Sequence, residues 1–179
     1  MKHILTILVA MLALGSYASE PFSADSVFSE KASSTIVQAI PAIASAYRDG
    51  LQALESKDAG KVKPQNPRNL SGSVYLDKCL EKTNPHDARW DYVIGYCEKA
   101  YFVEVHPANT SNVDEVVKKK NWLEVWLNAN ASDLKAMMAG TSYYWIASGK
   151  VAILPNSPQA RRIAKNKLVL CKELKLDTK

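Results

Sequence analysis

The sequence predicts a mixed α/β domain, with one sheet built around a β-hairpin and helices packed on it. Three observations predict it. Aromatic and β-branched residues crowd into two runs, residues 89–96 (RWDYVIGY) and 100–105 (AYFVEV), with Cys97-Glu98-Lys99 as a hairpin-sized gap between them. After a polar break at residues 107–112, Val113, Val116, Val117, Leu123 and Leu127 recur at helical steps. Beyond that helix, strand-like and helix-like runs alternate toward the C-terminus, the pattern of helices laid on a sheet.

The elements follow in chain order. Met1-Lys2-His3, an apolar block from Ile4 to Leu14 and the small residues Ser16 and Ala18 form the three zones of a secretory signal, with cleavage expected after Ala18. The block is too short for a helical span, which needs roughly 20 apolar residues. The working protein is therefore expected to be exported, periplasmic or secreted, without stable membrane insertion. Residues 19–30 read as a linker. Ile36, Val37, Ile40, Ile43, Tyr47, Leu51 and Leu54 then mark one face of an amphipathic helix over residues 34–54, with Pro41 as a kink. Residues 55–71 read as a loop, 72–76 as a short strand and 77–88 as a turn-rich connection. The hairpin comes next, then a helix over residues 113–127 and a shorter one over 132–138. Strands are expected at residues 142–147 and 151–154 around the turn Ser148-Gly149-Lys150. A helix over 158–165 and a strand over 168–171 complete the order. Residues 1–18 are thus the signal and 19–179 a single α/β domain, long enough to bury its own core.

Charge and cysteines narrow the class. The chain has 23 Lys and Arg against 18 Asp and Glu, a mild excess that permits an anionic partner without demanding one. Arg161, Arg162, Lys165, Lys167, Lys172 and Lys175 concentrate that excess in a basic C-terminal segment, residues 158–179, and Lys118, Lys119 and Lys120 form a second cluster. Solvated surface explains either cluster equally well. Three cysteines, Cys79, Cys97 and Cys171, allow at most one internal bridge, so the fold does not depend on a disulfide framework.

The hairpin carries the chemistry. A two-residue turn at Glu98-Lys99 sets Asp91 opposite His106 and leaves Glu104 on the same face. The other face, with Trp90, Tyr92, Ile94, Tyr101, Val103 and Val105, reads as core. Ionisable groups gathered at the end of an apolar sheet face need partners or a metal ion. Two carboxylates and an imidazole suit a hard divalent cation such as Mg²⁺ or Mn²⁺, which polarises a phosphodiester and acidifies a bound water. A purely structural polar cluster is the competing account.

Asp91, a turn, Glu104-x-His106 and an immediate helix resemble the core of the restriction-endonuclease-like, or PD-(D/E)xK, superfamily. That core is an α-β-β-β-α-β unit with an Asp on one strand, Glu-x-Lys on the next and a helix behind, and the resemblance spans about residues 34–147. It implies a nuclease acting on DNA or RNA, with Asp91 and Glu104 as metal ligands and Glu30 or Glu55 as supplements. His106 stands where the superfamily has Lys. An imidazole there can serve as metal ligand or catalytic base, and Lys118 or Lys119 on the following helix can supply the displaced cation. The same substitution fits a site that has lost activity, so an exported binding or interaction protein of the same fold is the alternative. A zinc site from Cys79, His86, Cys97 and His106 has ligand types without a known spacing. Trp122 and Trp126, one helical turn apart, are expected to pack on a neighbour.

Overall fold

The computed structural model describes residues 36–140 and 143–177. Its centre is a mixed sheet. In spatial order the strands are β1 (Tyr47–Arg48), β3 (Leu70–Tyr75), β4 (Tyr92–Tyr96), β5 (Lys99–Ala108), β6 (Tyr143–Val151) and β7 (Leu168–Cys171). Pairing is antiparallel from β1 through β5 and parallel from β5 through β7. Strands β2 (Val62–Pro64) and β8 (Leu174–Leu176) make a separate parallel pair. Among the described residues the helices that complete the frame include α1 (Ser56–Ala59), α2 (Leu76–Leu80), α3 (Val113–Asn130), α4 (Ser132–Ala136) and α5 (Pro158–Lys165). The expected signal, the linker and Glu30 lie outside the described residues.

Both faces of the sheet are buried. Val93, Ala100, Phe102, Trp145 and Ala147 point to one side, where they meet Val113, Val116, Leu123 and Leu127 of α3. Tyr92, Ile94, Tyr96, Val103 and Ile146 point to the other, against Leu54, Val62, Leu174 and Leu176. The second cluster explains β2 and β8. Their alternate residues Val62, Leu174 and Leu176 are buried while Lys63 and Lys175 are exposed, so the pair lids the sheet with its apolar side. Trp90 was expected on this side. It packs instead with the α3 cluster, because it precedes β4 and is free of the strand alternation.

The helix expected over residues 34–54 does not form as one piece. Residues 36–38 are helical, a 3₁₀ turn covers Ala44–Ala46, and Tyr47 and Arg48 pair as an edge strand with Val74 and Ser73. Pro41 lacks the N–H that a continuing helix needs, and Gly50 adopts φ +56°, a left-handed turn. The apolar spacing was still informative, since Val37, Ile40 and Ile43 are buried. The loop expected over 55–71 contains α1 and β2, and the connection over 77–88 begins as α2. Residues 142–154 hold one strand, not two. Ser148-Gly149-Lys150 is a bulge, since His106 pairs with Ala147 and Ala108 with Val151. The basic C-terminal segment is not an appendage, as it supplies α5, β7 and β8.

Candidate functional site

The hairpin turn lies one residue earlier than its sequence suggests. Tyr96 pairs with Lys99, and Cys97 and Glu98 make the turn with φ +46° and +60°. Two central residues with positive φ define a type I′ turn. Asn69 braces it, accepting the Cys97 N–H at its carbonyl (3.1 Å) and reaching the Cys97 sulfur with its side-chain amide (3.4 Å). Moving the turn by one residue moves every cross-strand partner by two, which preserves the face. Tyr92 pairs with Val103, so Asp91 comes level with Glu104 rather than with His106. Asp91, Glu104 and His106 still converge.

Glu104 is the floor of the site, with no exposed side-chain surface. One of its oxygens, Oε2, accepts the Asp91 N–H at 3.1 Å, and Asp91 Oδ2 in turn accepts the Val105 N–H at 2.9 Å. These reciprocal bonds leave Glu104 Oε1 and Asp91 Oδ1 turned toward one point. The Lys119 ammonium occupies it, donating to Glu104 Oε1 and lying 3.3 Å from Asp91 Oδ1. Asp91 (15% exposed), Lys119 (16%) and His106 (18%) form a narrow mouth above the buried carboxyl. His106 Nδ1 stands 3.6 Å from Glu104 Oε1, and its Nε2 meets Glu115 Oε2 at 3.0 Å, with the Asn112 amide at 3.5 Å.

Helix geometry explains why Lys119, and not Lys118, reaches this point. Asn112, Glu115 and Lys119 are spaced three and four apart, so they follow one stripe along the start of α3. Each residue turns the helix by about 100°. Lys118, expected to serve the site, is thereby rotated to the exposed side, and its neighbour Lys119 is the lysine that meets the two carboxylates. Lys120, on the far side of Lys119, is buried against Tyr143 and pairs with Glu124 at 2.9 Å. Glu55, the expected supplement, pairs with Lys57 at 2.8 Å. The stripe of Asn112, Glu115 and Lys119 is the signal in the sequence that singles out the lysine in contact with Asp91 and Glu104.

Burial pushes the Glu104 carboxyl up to about 8, with the Asp91 charge adding to it and Lys119 opposing. Burial also raises Asp91, again against Lys119. For Lys119, burial works against the ammonium, but the two carboxylates outweigh it and its pKa is raised. The cluster therefore holds its protons more tightly than the same groups in water.

Among the described residues no group of three His, Cys, Asp or Glu side chains is arranged to hold a metal ion, so the zinc-type set is not assembled. Cys79, Cys97 and Cys171 are free, half-buried thiols. The donor pair Asp91 and Glu104 nonetheless has the chemistry of a hard-cation site. It offers two carboxylate oxygens aimed at one point that already attracts positive charge. Trp122 stacks with Trp126 at 6.3 Å between ring centroids and donates its indole N–H to Asp87 at 2.9 Å. Among the described residues no helix is long and apolar enough to cross a membrane. No protein-family model, curated protein or solved structure matches this chain.

Proposed function

We infer that this is a nuclease-like domain of the restriction-endonuclease-like kind, acting on phosphodiesters of DNA or RNA from an exported location. One observation carries the inference: Lys119 brings an ammonium between Asp91 and Glu104. The resemblance lacked a cation because His106 stands at the Lys position, and a lysine from the following helix supplies one at the same carboxylates. The run β3, β4, β5, α3, β6 has the order of the strands and second helix of the resembled unit. The broken segment over residues 36–54 is where it departs.

Asp91 and Glu104 are the groups that would hold Mg²⁺ or Mn²⁺, which when bound supplies charge against phosphorus and acidifies a water. The chain's own groups do the rest. Lys119, at the mouth, offers N–H donors to a non-bridging phosphate oxygen. His106 is oriented by Glu115 and sits beside Glu104, within reach of a group entering the mouth. The backbone N–H groups of Asp91 and Val105 fix the two carboxylates before substrate arrives.

The same ammonium favours a second reading. Lys119 leaves the carboxylates compensated, so the triad also suits an exported, non-catalytic binding protein of this fold. Cleavage assays separate the two. Wild-type protein with Mg²⁺ or Mn²⁺ is expected to cut DNA or RNA, and Asp91→Ala or Glu104→Ala to abolish cutting while circular dichroism stays native. His106→Lys is expected to retain or raise activity. If wild type and His106→Lys both cut nothing and bind no divalent ion by calorimetry, the nuclease reading falls and the binding protein stands.

A further inference from the structure

A basic groove lies at the same end of the sheet as the carboxylate site. Register fixes the relation: Ala147 on β6 pairs with His106 on β5, and Trp145 donates its indole N–H to the His106 carbonyl at 3.0 Å. From Ala147 the β6 bulge runs outward through Ser148 and Gly149, where a Cβ would meet nothing within 4 Å. Facing the bulge are Lys61, Lys172 and Lys175, with Glu173, around an open volume of about 550 Å³. Lys61 is anchored, its ammonium donating to the Ala147 carbonyl at 3.1 Å and approaching that of Ser148 at 3.4 Å.

Lys61 bonds the bulge, but the lysines of the paired strands oppose one another. Lys63 and Lys175 stand directly opposite one another in the β2–β8 pair. Like charges placed so weaken a strand pair. Glu173 offsets them in part, meeting Lys63 at 3.7 Å between half-exposed side chains. The apolar sides of β2 and β8 account for their packing, but any polar residue would serve outside. Lys61, Lys172 and Lys175 converge on one groove that a single glutamate, Glu173, also lines, and they make a local positive field that an anionic chain relieves.

We propose that the groove formed by Lys61, Lys172 and Lys175 against the β6 bulge seats the phosphate backbone of a nucleic-acid strand. The assignment rests on the nuclease-like reading of the carboxylate site, because it names the surface that holds that substrate. Phosphate contacts of this kind position a chain without reading its bases, so binding should be indifferent to sequence and steep in salt.

The test is fluorescence anisotropy of the exported protein with labelled DNA and RNA oligonucleotides in EDTA, titrated with salt. Replacing all three lysines (Lys61→Gln, Lys172→Gln, Lys175→Gln) is expected to weaken binding about tenfold or more and to flatten the log–log salt slope by roughly two units. Because Lys61 also bonds the bulge, Lys172→Gln/Lys175→Gln is run beside it. That variant should remain native in melting temperature and lose a smaller share of slope. Arg161→Gln/Lys165→Gln on α5 changes net charge equally and should keep the wild-type slope. Unchanged binding in the groove variants, or an equal loss in the α5 pair, overturns the proposal. So does a wild type that ignores oligonucleotides but binds vesicles of anionic phospholipid through these lysines. Normal binding by the groove variants together with cleavage lost in Asp91→Ala would sink the groove and leave the nuclease reading intact. Groove-dependent binding without any cleavage would do the reverse.

Discussion

The two faces of the sheet each bury a carboxyl, and they treat it in opposite ways. On the α3 side Glu104 shares a cluster with Asp91, Lys119 and His106, beneath a mouth that admits solvent. On the β2–β8 side Asp58 of α1 has a neutral partner, the Tyr92 hydroxyl, which donates to it at 2.9 Å within the second core cluster. Burial and that bond push the Tyr92 phenol upward. A lone acid tied to a neutral donor pins one loop to one strand. An acid set among several charges, with an opening above, can exchange a proton or a cation. The difference between structure and chemistry here is one of neighbours and access, since both acids are buried.

The largest expected effect comes from removing the cation. Lys119→Met leaves two carboxyls without their shared partner, and breaking a buried pair from one side costs about 3–5 kcal/mol. Chemical denaturation at about pH 9, above the value to which Glu104 is raised and where both partners carry charge, should show that loss. Lys119→Met combined with Glu104→Gln should recover much of it, since the second change removes the charge the first left exposed. A fully additive double mutant would mean that Lys119 and Glu104 do not act as a pair.

The pH response separates the faces next. In the fold Glu104 is raised to about 8, against an ordinary value of 4.5. Between those values the native state holds a proton that the unfolded chain has released. Stability is then full below the ordinary value and declines as pH rises toward 8, by at most about 1.4 kcal/mol per pH unit for one group. The raised Asp91 acts in the same direction. Lys119, raised above its ordinary value, keeps its contribution throughout this window and loses it only above the usual lysine range. Melting in EDTA should show the decline in wild type and a flatter profile in Glu104→Gln. An equally steep profile in that variant would remove Glu104 as its source.

How far this was legible in the sequence depended on what each signal constrains. The pairing of Asp91, Glu104 and His106 on one face could be read because strand alternation has period two. An error of one residue in the turn shifted the partners but not the face. The turn itself was hidden, because Cys97-Glu98 lacks the Asn-Gly signature of a type I′ turn and relies on Asn69 from elsewhere in the chain. Over residues 34–54 the helical spacing of Val37, Ile40 and Ile43 reports burial and not a continuous helix. Pro41 and Gly50 were the stronger evidence. Asp58 was invisible, sitting in a stretch whose Lys, Pro and Asn content reads as loop. Only the tertiary contact with Tyr92 gives it a role.

On the second face, Tyr92→Phe tests whether Asp58 is purely structural. The substitution keeps the ring and its packing near Tyr75, whose centroid is 4.5 Å away, and removes only the donor. An acceptor left buried without its partner costs about 1–3 kcal/mol. The loss should appear in denaturation, while the divalent-ion binding and cleavage proposed for the other face stay at the wild-type level. A Tyr92→Phe protein that folds normally but cuts poorly would break the contrast between the faces, because the Asp58 side would then be feeding the chemistry.

The smallest effect is expected one residue from the largest. Lys118 and Lys119 are adjacent lysines on α3, indistinguishable by composition, yet Lys118 is exposed and Lys119 enters the site. Lys118→Ala removes a solvated charge from a helix surface, where substitutions usually fall within about 0.5 kcal/mol. It should leave melting temperature and the proposed divalent-ion binding and cleavage unchanged, while Lys119→Met disturbs all three. Since both changes remove one positive charge at nearly the same place along the chain, net charge cannot account for a difference between them. What remains is the rotation of about 100° that each residue adds to a helix. Equal losses in the two variants would mean that the basic surface of α3, and not the ammonium held between Asp91 and Glu104, is what the protein uses.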